Sequence, residues 1–150
     1  MINGSTLKTT NERVRIADPN ASMQGLKDDM EFFNRGEKYR LPIEIVLDTA
    51  KFGGLFNSST QDCLIIRNKE HLDDYFQHCV VCTRTGRTST LELKYFGGSK
   101  LIGQANKTEE RKGSFRGMLM NSVFRVNEEA LNAEYEYYQL LTDLFKECFT

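Results

Sequence analysis

The side chains in this sequence best suited to hold a metal ion fall close together: His78, Cys79 and Cys82, with Cys63 upstream. A Cys-x-x-Cys pair shares a tetrahedral zinc ion when a tight turn brings its sulfurs together. Here the spacer is Val80-Val81, whose β-branched side chains favour extended chain and aim the two sulfurs apart. The cysteines are therefore expected as small buried residues, and no cofactor or metal is expected. Glu92-Leu93-Lys94 matches half of a metal-dependent nuclease site, in which a carboxylate holds Mg2+ and a lysine steadies the attacking water. That chemistry needs a second acid on a neighbouring strand, and no Asp or Glu lies between Asp74 and Glu92. His71 and His78 stand seven apart, on one face if the segment is helical, with no serine or cysteine elbow beside them. The chain reads as non-enzymatic.

Charge is the next signal. The 150 residues carry 20 basic and 21 acidic side chains, a net charge of -1, so bulk composition demands neither nucleic acid nor membrane. The distribution is uneven. Residues 82 to 116 hold eight cations, Arg84, Arg87, Lys94, Lys100, Lys107, Arg111, Lys112 and Arg116, against three acids, whereas residues 117 to 150 hold two against six. Such a basic segment can track phosphates, each neutralised phosphate releasing a counterion. These eight are the candidate RNA-binding residues.

The elements that would position them follow from periodicity. Residues 1 to 21 are rich in Ser, Thr, Asn and Lys without apolar period, and are expected as a flexible lead-in. From Ser22, an N-cap residue, Met23, Leu26, Met30 and Phe33 recur at helical spacing up to a left-handed stop at Gly36. Pro42 heads an alternating edge strand over 41 to 47, which together with the helix makes residues 22 to 60 an appended unit. Asn68 is read as the cap of a helix over 69 to 79 with Leu72, Tyr75, Phe76 and Cys79 buried. A turn at Gly86 leads to the clearest strand, 88 to 96. Gly97-Gly98 is read as a hairpin into a second strand over 100 to 105, with a charged loop over 106 to 113 and a third strand over 115 to 124. Asn127 caps a final helix whose buried stripe is read as Leu131, Tyr135, Tyr138, Leu141, Phe145 and Cys148. Tyr137, Leu140 and Leu144 widen that stripe and are the candidate partner interface.

The expected fold class is thus α+β: an antiparallel sheet with helices on one face, an αβββα-like unit over 61 to 150 plus an N-terminal extension. Within it, Leu64-Ile-Ile-Arg-Asn-Lys-Glu-His-Leu72, Cys82, Gly86, Leu91-Glu-Leu-Lys-Tyr-Phe-Gly97, Asn121-Ser-Val-Phe124 and Tyr138-Gln-Leu-Leu141 resemble the Alu-domain subunits of the signal recognition particle, the fourteen-kilodalton one above all, over about residues 64 to 145. The resemblance implies a non-catalytic RNA-binding subunit of a ribonucleoprotein, paired as a heterodimer with a homologous subunit, with its sheet against a structured RNA. Lys94 and Lys100 match that family's basic positions best. The chain departs from the family in its long N-terminal segment, its acidic final helix, its short first loop and the lack of a lysine-rich tail.

The alternative is a protein-interaction module without nucleic acid, self-associating or bound to another chain, and behind it a metal-dependent nuclease. No apolar run reaches the ~18 residues of a membrane span, and the start lacks a charged leader followed by an apolar stretch. The expectation is a cytoplasmic protein with reduced thiols and no membrane partner.

Overall fold

A computed structural model describes residues 1–110 and 128–150, the side chains of 106–110 excepted. The chain is mixed α+β. Among the described residues, six strands, β1 (Ile2–Asn3), β2 (Lys8–Ile16), β3 (Ile43–Phe52), β4 (Ser59–Asn68), β5 (Gln77–Thr85) and β6 (Thr88–Phe96), join one sheet in the order β1-β3-β4-β5-β6-β2. All neighbours are antiparallel except the two-residue parallel contact of β1 with β3. Among the described residues, three helices accompany the sheet: α1 (Met23–Arg35), α2 (Lys100–Glu110) and α3 (Glu128–Glu147).

Helix α1 begins where its cap residue dictates, the Ser22 side chain accepting from the Gly25 N–H at 3.1 Å. It buries Met23, Leu26 and Met30 against the sheet, each worth about 2 kcal/mol of apolar transfer. It stops at Gly36, but with φ -69°, an extended rather than the expected left-handed conformation. Strand β6 occupies the expected span, with Ser89, Leu91 and Leu93 turned inward. One face of the sheet, through Ile45, Leu64, Ile66, Val80, Cys82, Leu91 and Leu93, packs on α1 and α3.

Several sequence expectations are corrected. Residues 69 to 79 form no helix: two successive turns lead into β5, and Leu72 is 49% exposed. Asn68 does make a local cap bond, accepting from the Glu70 N–H at 2.9 Å, but that closes a turn at the end of β4. The run His78 to Cys82 is buried on both faces, and apolar from Cys79 on, because it is a central strand between β4 and β6, a pattern that one buried helix stripe imitates. Residues 100 to 105 belong to α2, not to a strand. Ser99 provides the start signal, its hydroxyl accepting from the Ile102 N–H at 3.2 Å. The αβββα order is accordingly not the order observed, and residues 22 to 60 are no appendage, since β3 pairs with β4 over ten continuous residues. The expected third strand and the Asn127 cap lie outside the described residues.

Nor do residues 1 to 21 lack structure. Residues 8 to 16 pair with β6, and residues 2 and 3 with β3, at opposite edges of the sheet. The chain from Asn3 to Lys8 reaches about 17 Å at most, whereas β1 and β2 would stand about 24 Å apart across five flat strand spacings. The sheet must therefore curl, and the N-terminal segment crosses its concave second face. Ile2 and Leu7 pack there with Ala50, Phe52, Cys63, Cys79, Val81 and Phe96. Gly4 permits the crossing: a Cβ on it would meet the Phe52 ring at 2.4 Å and the Lys51 carbonyl at 2.8 Å.

Candidate functional site

The structure does not gather the expected RNA-binding cations into one surface among the described residues. Lys94 projects from β6 onto the second face, 3.8 Å from Glu92. Lys100 opens α2 beyond the strand, its backbone N–H on the Asp74 carbonyl. Arg84 ends near the start of α1, its guanidinium donating to the Ala21 carbonyl at 2.8 Å, and Arg87 is exposed in the β5–β6 turn. The side chain of Lys107, and Arg111, Lys112 and Arg116, lie outside the description.

The expected partner interface is corrected. Tyr137 and Leu144 are buried, at 6% and 0% exposure, and Leu140 packs against the same core, while Tyr135 is 51% exposed. Helix α3 is rotated from the expected stripe because the 69–76 turn adds aromatic surface: Tyr75 lies 5.6 Å from Tyr137 and 5.9 Å from Tyr138 between ring centres.

That rotation drives Glu134 into the interior, where it is fully buried. Its Oε2 accepts from the Ser99 hydroxyl and from the Tyr138 hydroxyl, both at 2.6 Å, and Tyr138 in turn accepts from the Phe76 N–H at 2.9 Å. Burial, then the bond to Glu134, raises the Tyr138 phenol above its ordinary pKa. His78 sits 5.3 Å from the Tyr138 ring, and its burial lowers its pKa to about 4, so the ring is neutral. Glu134 Oε1, His78 Nδ1 and the Tyr137 hydroxyl have no partner among the described residues. The network ties α3 to the starts of β5 and α2. It is a structural clamp rather than a surface site.

The cysteines divide as their extended spacer requires: Cys79 belongs to the second-face cluster and Cys82 to the helix-face core. The register does place Cys63 near Cys79, one diagonal step apart on the second face. The proximity of the two thiols lowers the Cys63 pKa and raises that of Cys79, whose burial acts in the same direction. Glu92 is engaged by Thr9 at 2.8 Å and by Arg13 at 3.7 Å as well as by Lys94.

Sequence reasoning reads residues 41 to 47 as an edge strand but not as a site, although the edge of β3 is the feature most open to a partner. Strand β1 covers this edge only at Ala50 and Lys51, so from Ile43 to Asp48 no described strand pairs with its outer side. The opposite edge, β2, is blunted by a bulge between Thr9 and Glu12, where Asn11 has φ 67°, and by exposed Lys8, Arg13 and Arg15. The β3 edge has neither device. Its register with β4 is unbroken, and no lysine, arginine or proline interrupts Ile43-Glu44-Ile45-Val46-Leu47-Asp48. Leu47 remains 44% exposed on it.

Two grooves flank this edge. One of about 400 Å3 lies between α1 and the start of β3, lined by Glu31, Asn34, Arg35, Ile43, Glu44, Ile45 and Lys69. The other, of about 490 Å3, lies by Leu47, Asp48, Asp62 and the first turn of α1. The Ile43 end thus carries Arg35 and Lys69 beside Glu31 and Glu44, and the Leu47 end carries Asp48 and Asp62 beside Arg84, with Asp48 held by the N-terminal amine at 3.1 Å.

Comparison with family models, curated proteins and solved structures finds no match for this chain. Among the described residues, no helix is long and apolar enough to cross a membrane.

Proposed function

We propose that this chain is a protein-interaction module that takes an extended partner segment along the open edge of β3. The observation that carries the reading is the contrast between the two edges: β2 is blunted by a bulge and cations, while β3 from Ile43 to Asp48 has neither, sets Ile43, Ile45 and Leu47 on alternate positions, and meets no described strand on its outer side. Backbone hydrogen bonds to such an edge supply affinity, and alternate side chains dropping into flanking grooves supply selectivity. The groove beside α1 receives the side chains that point to the helix face.

Selection of extended peptides from a displayed library on the full chain, followed by amide chemical-shift mapping, tests this reading. Shifts concentrated in β3, and loss of binding in Leu47→Lys, are expected. Binders that map to other elements would overturn it.

A second reading, RNA binding, is favoured by one observation: Arg13, Arg15 and Lys94 lie on the second face beside Thr9 and Thr90. Filter binding that weakens steeply with added salt supports it. No retention of RNA at low salt would exclude it.

A further inference from the structure

We infer that the second face of the sheet holds a binding site for a phosphate monoester group, anchored by the Arg67 guanidinium and completed by Gln77 and Lys94. The site goes beyond strand addition at the β3 edge and does not depend on it.

Arg67 lies near the end of β4 with the parity of Cys63, so its half-buried side chain belongs to the second face. Its Nε is buried, and no acceptor meets it among the described residues. No ion pair of the described residues includes its guanidinium, not even with Glu44 directly opposite on β3. The other acids of this face are engaged elsewhere: Asp48 by the N-terminal amine at 3.1 Å, and Glu92 by Thr9 at 2.8 Å and Arg13 at 3.7 Å. A buried N–H without an acceptor is rare in native interiors, because it has given up water and gained no bond in return. An oxyanion supplies the acceptor that the chain does not.

Strand register sets two further donors beside it. Gln77 neighbours Arg67, one step past the Ile66–His78 pair, and faces Phe96 on β6, while Lys94 stands two residues from Phe96, opposite Cys79. In a flat sheet the Arg67 and Lys94 Cα atoms would be about 12 Å apart, within reach of two long side chains extended toward one group, and the curl of the sheet shortens that span on its concave face. Lys94 is 21% exposed and only loosely engaged, 3.8 Å from Glu92. Three donors from three strands thus approach from different directions. A carboxylate is planar, and one guanidinium fork uses both of its oxygens; a phosphate monoester offers three oxygens in a tetrahedral arrangement and a charge of about -2. Glu44 and Glu92 border the site and hold the expected affinity to the millimolar range.

Titration of the full chain at constant ionic strength, followed through the arginine Nε–H resonances, tests the inference. The Arg67 resonance, assigned by its absence from Arg67→Lys, is expected to shift saturably with methyl phosphate, and at least about tenfold more weakly with dimethyl phosphate or acetate. Arg67→Lys keeps the charge but loses the fork, and Lys94→Gln removes the second cation. Each is expected to weaken methyl phosphate binding severalfold, read from the backbone amides of residues 65 to 67 and 77 to 79, with circular dichroism showing that the variants fold. A phosphoserine peptide that binds no more tightly than methyl phosphate marks the ligand as a small phosphorylated molecule, and tighter binding marks it as a phosphorylated partner segment; both support the monoester site. An equal response to dimethyl phosphate would overturn the monoester in favour of a nucleic-acid backbone, and an equal response to acetate would overturn it in favour of a carboxylate. An Arg67 resonance that ignores methyl phosphate but moves in Glu44→Gln would make Glu44 its partner and remove the site altogether.

Discussion

Tyr138 donates to Glu134, one helical turn earlier on α3, at 2.6 Å, and the same phenolic oxygen accepts from the Phe76 N–H at the entry to β5. One side chain thus holds a buried carboxylate in place and joins a helix to the sheet. Because Ser99 donates to the same carboxylate oxygen, the start of α2 is held by the same contact. Tyr138→Phe removes the donor to Glu134 and leaves the Phe76 N–H without its acceptor, and is expected to cost about 2 kcal/mol. Glu134→Gln keeps an accepting oxygen and is expected to cost less. Urea denaturation of the two variants beside the native chain measures the order.

Burial of His78 makes a prediction about acid. Its pKa is near 4 in the folded chain and 6.5 when free, so between these values the unfolded chain takes up a proton that the folded chain refuses. Stability is therefore full above pH 6.5 and falls as pH drops toward 4, by up to roughly 3 kcal/mol from this group. His78→Phe should flatten that part of the pH profile in denaturation midpoints measured from pH 7 to pH 4. An unchanged slope would show that other groups govern it.

The N-terminal crossing predicts a glycine requirement. Gly4→Ala places a methyl against the Phe52 ring and the Lys51 carbonyl, and the carbonyl cannot turn aside without disturbing β3. A loss of about 1–3 kcal/mol is expected, with faster amide exchange at the β1 to β3 contact. Melting curves and exchange rates report the two effects separately.

On the RNA reading, the two lysines that the resemblance singles out should part company. Lys94 stands on the second face with Arg13 and Arg15, while Lys100 starts α2. Lys94→Glu is expected to lower RNA retention severalfold and to reduce its salt dependence, and Lys100→Glu to change neither. Lys100 is exposed and the Lys94 side chain is 21% exposed, so circular dichroism on both variants separates lost binding from a lost fold. Equal losses from the two variants would place the RNA on a different surface.

Much of the local structure was legible in the residues alone. Ser22 and the Met23, Leu26, Met30 spacing specify α1, and the alternation from Thr88 to Phe96 specifies β6, because each pattern satisfies one period and one capping rule without outside help. The final helix was legible as a helix for the same reason. Its rotation was not: which of Tyr135 and Tyr137 turns inward depends on what packs against it, and Tyr75 reaches that position only because 69 to 76 is a turn.

Strand pairing decided the rest. Cys79 to Cys82 carries apolar residues at every position, which suits a helix stripe and a central strand alike, and only β4 and β6 on either side select the strand. Residues 1 to 16 contain little that would order them in isolation, but pairing with β3 and β6 supplies the backbone partners that their own side chains do not. The open β3 edge is likewise a property of no residue. By themselves, Ile43 to Asp48 determine an alternating strand with one apolar face; that this strand lies where only two residues of β1 cover it, while the other edge is bulged and charged, was decided by the order in which the curled sheet assembled its strands.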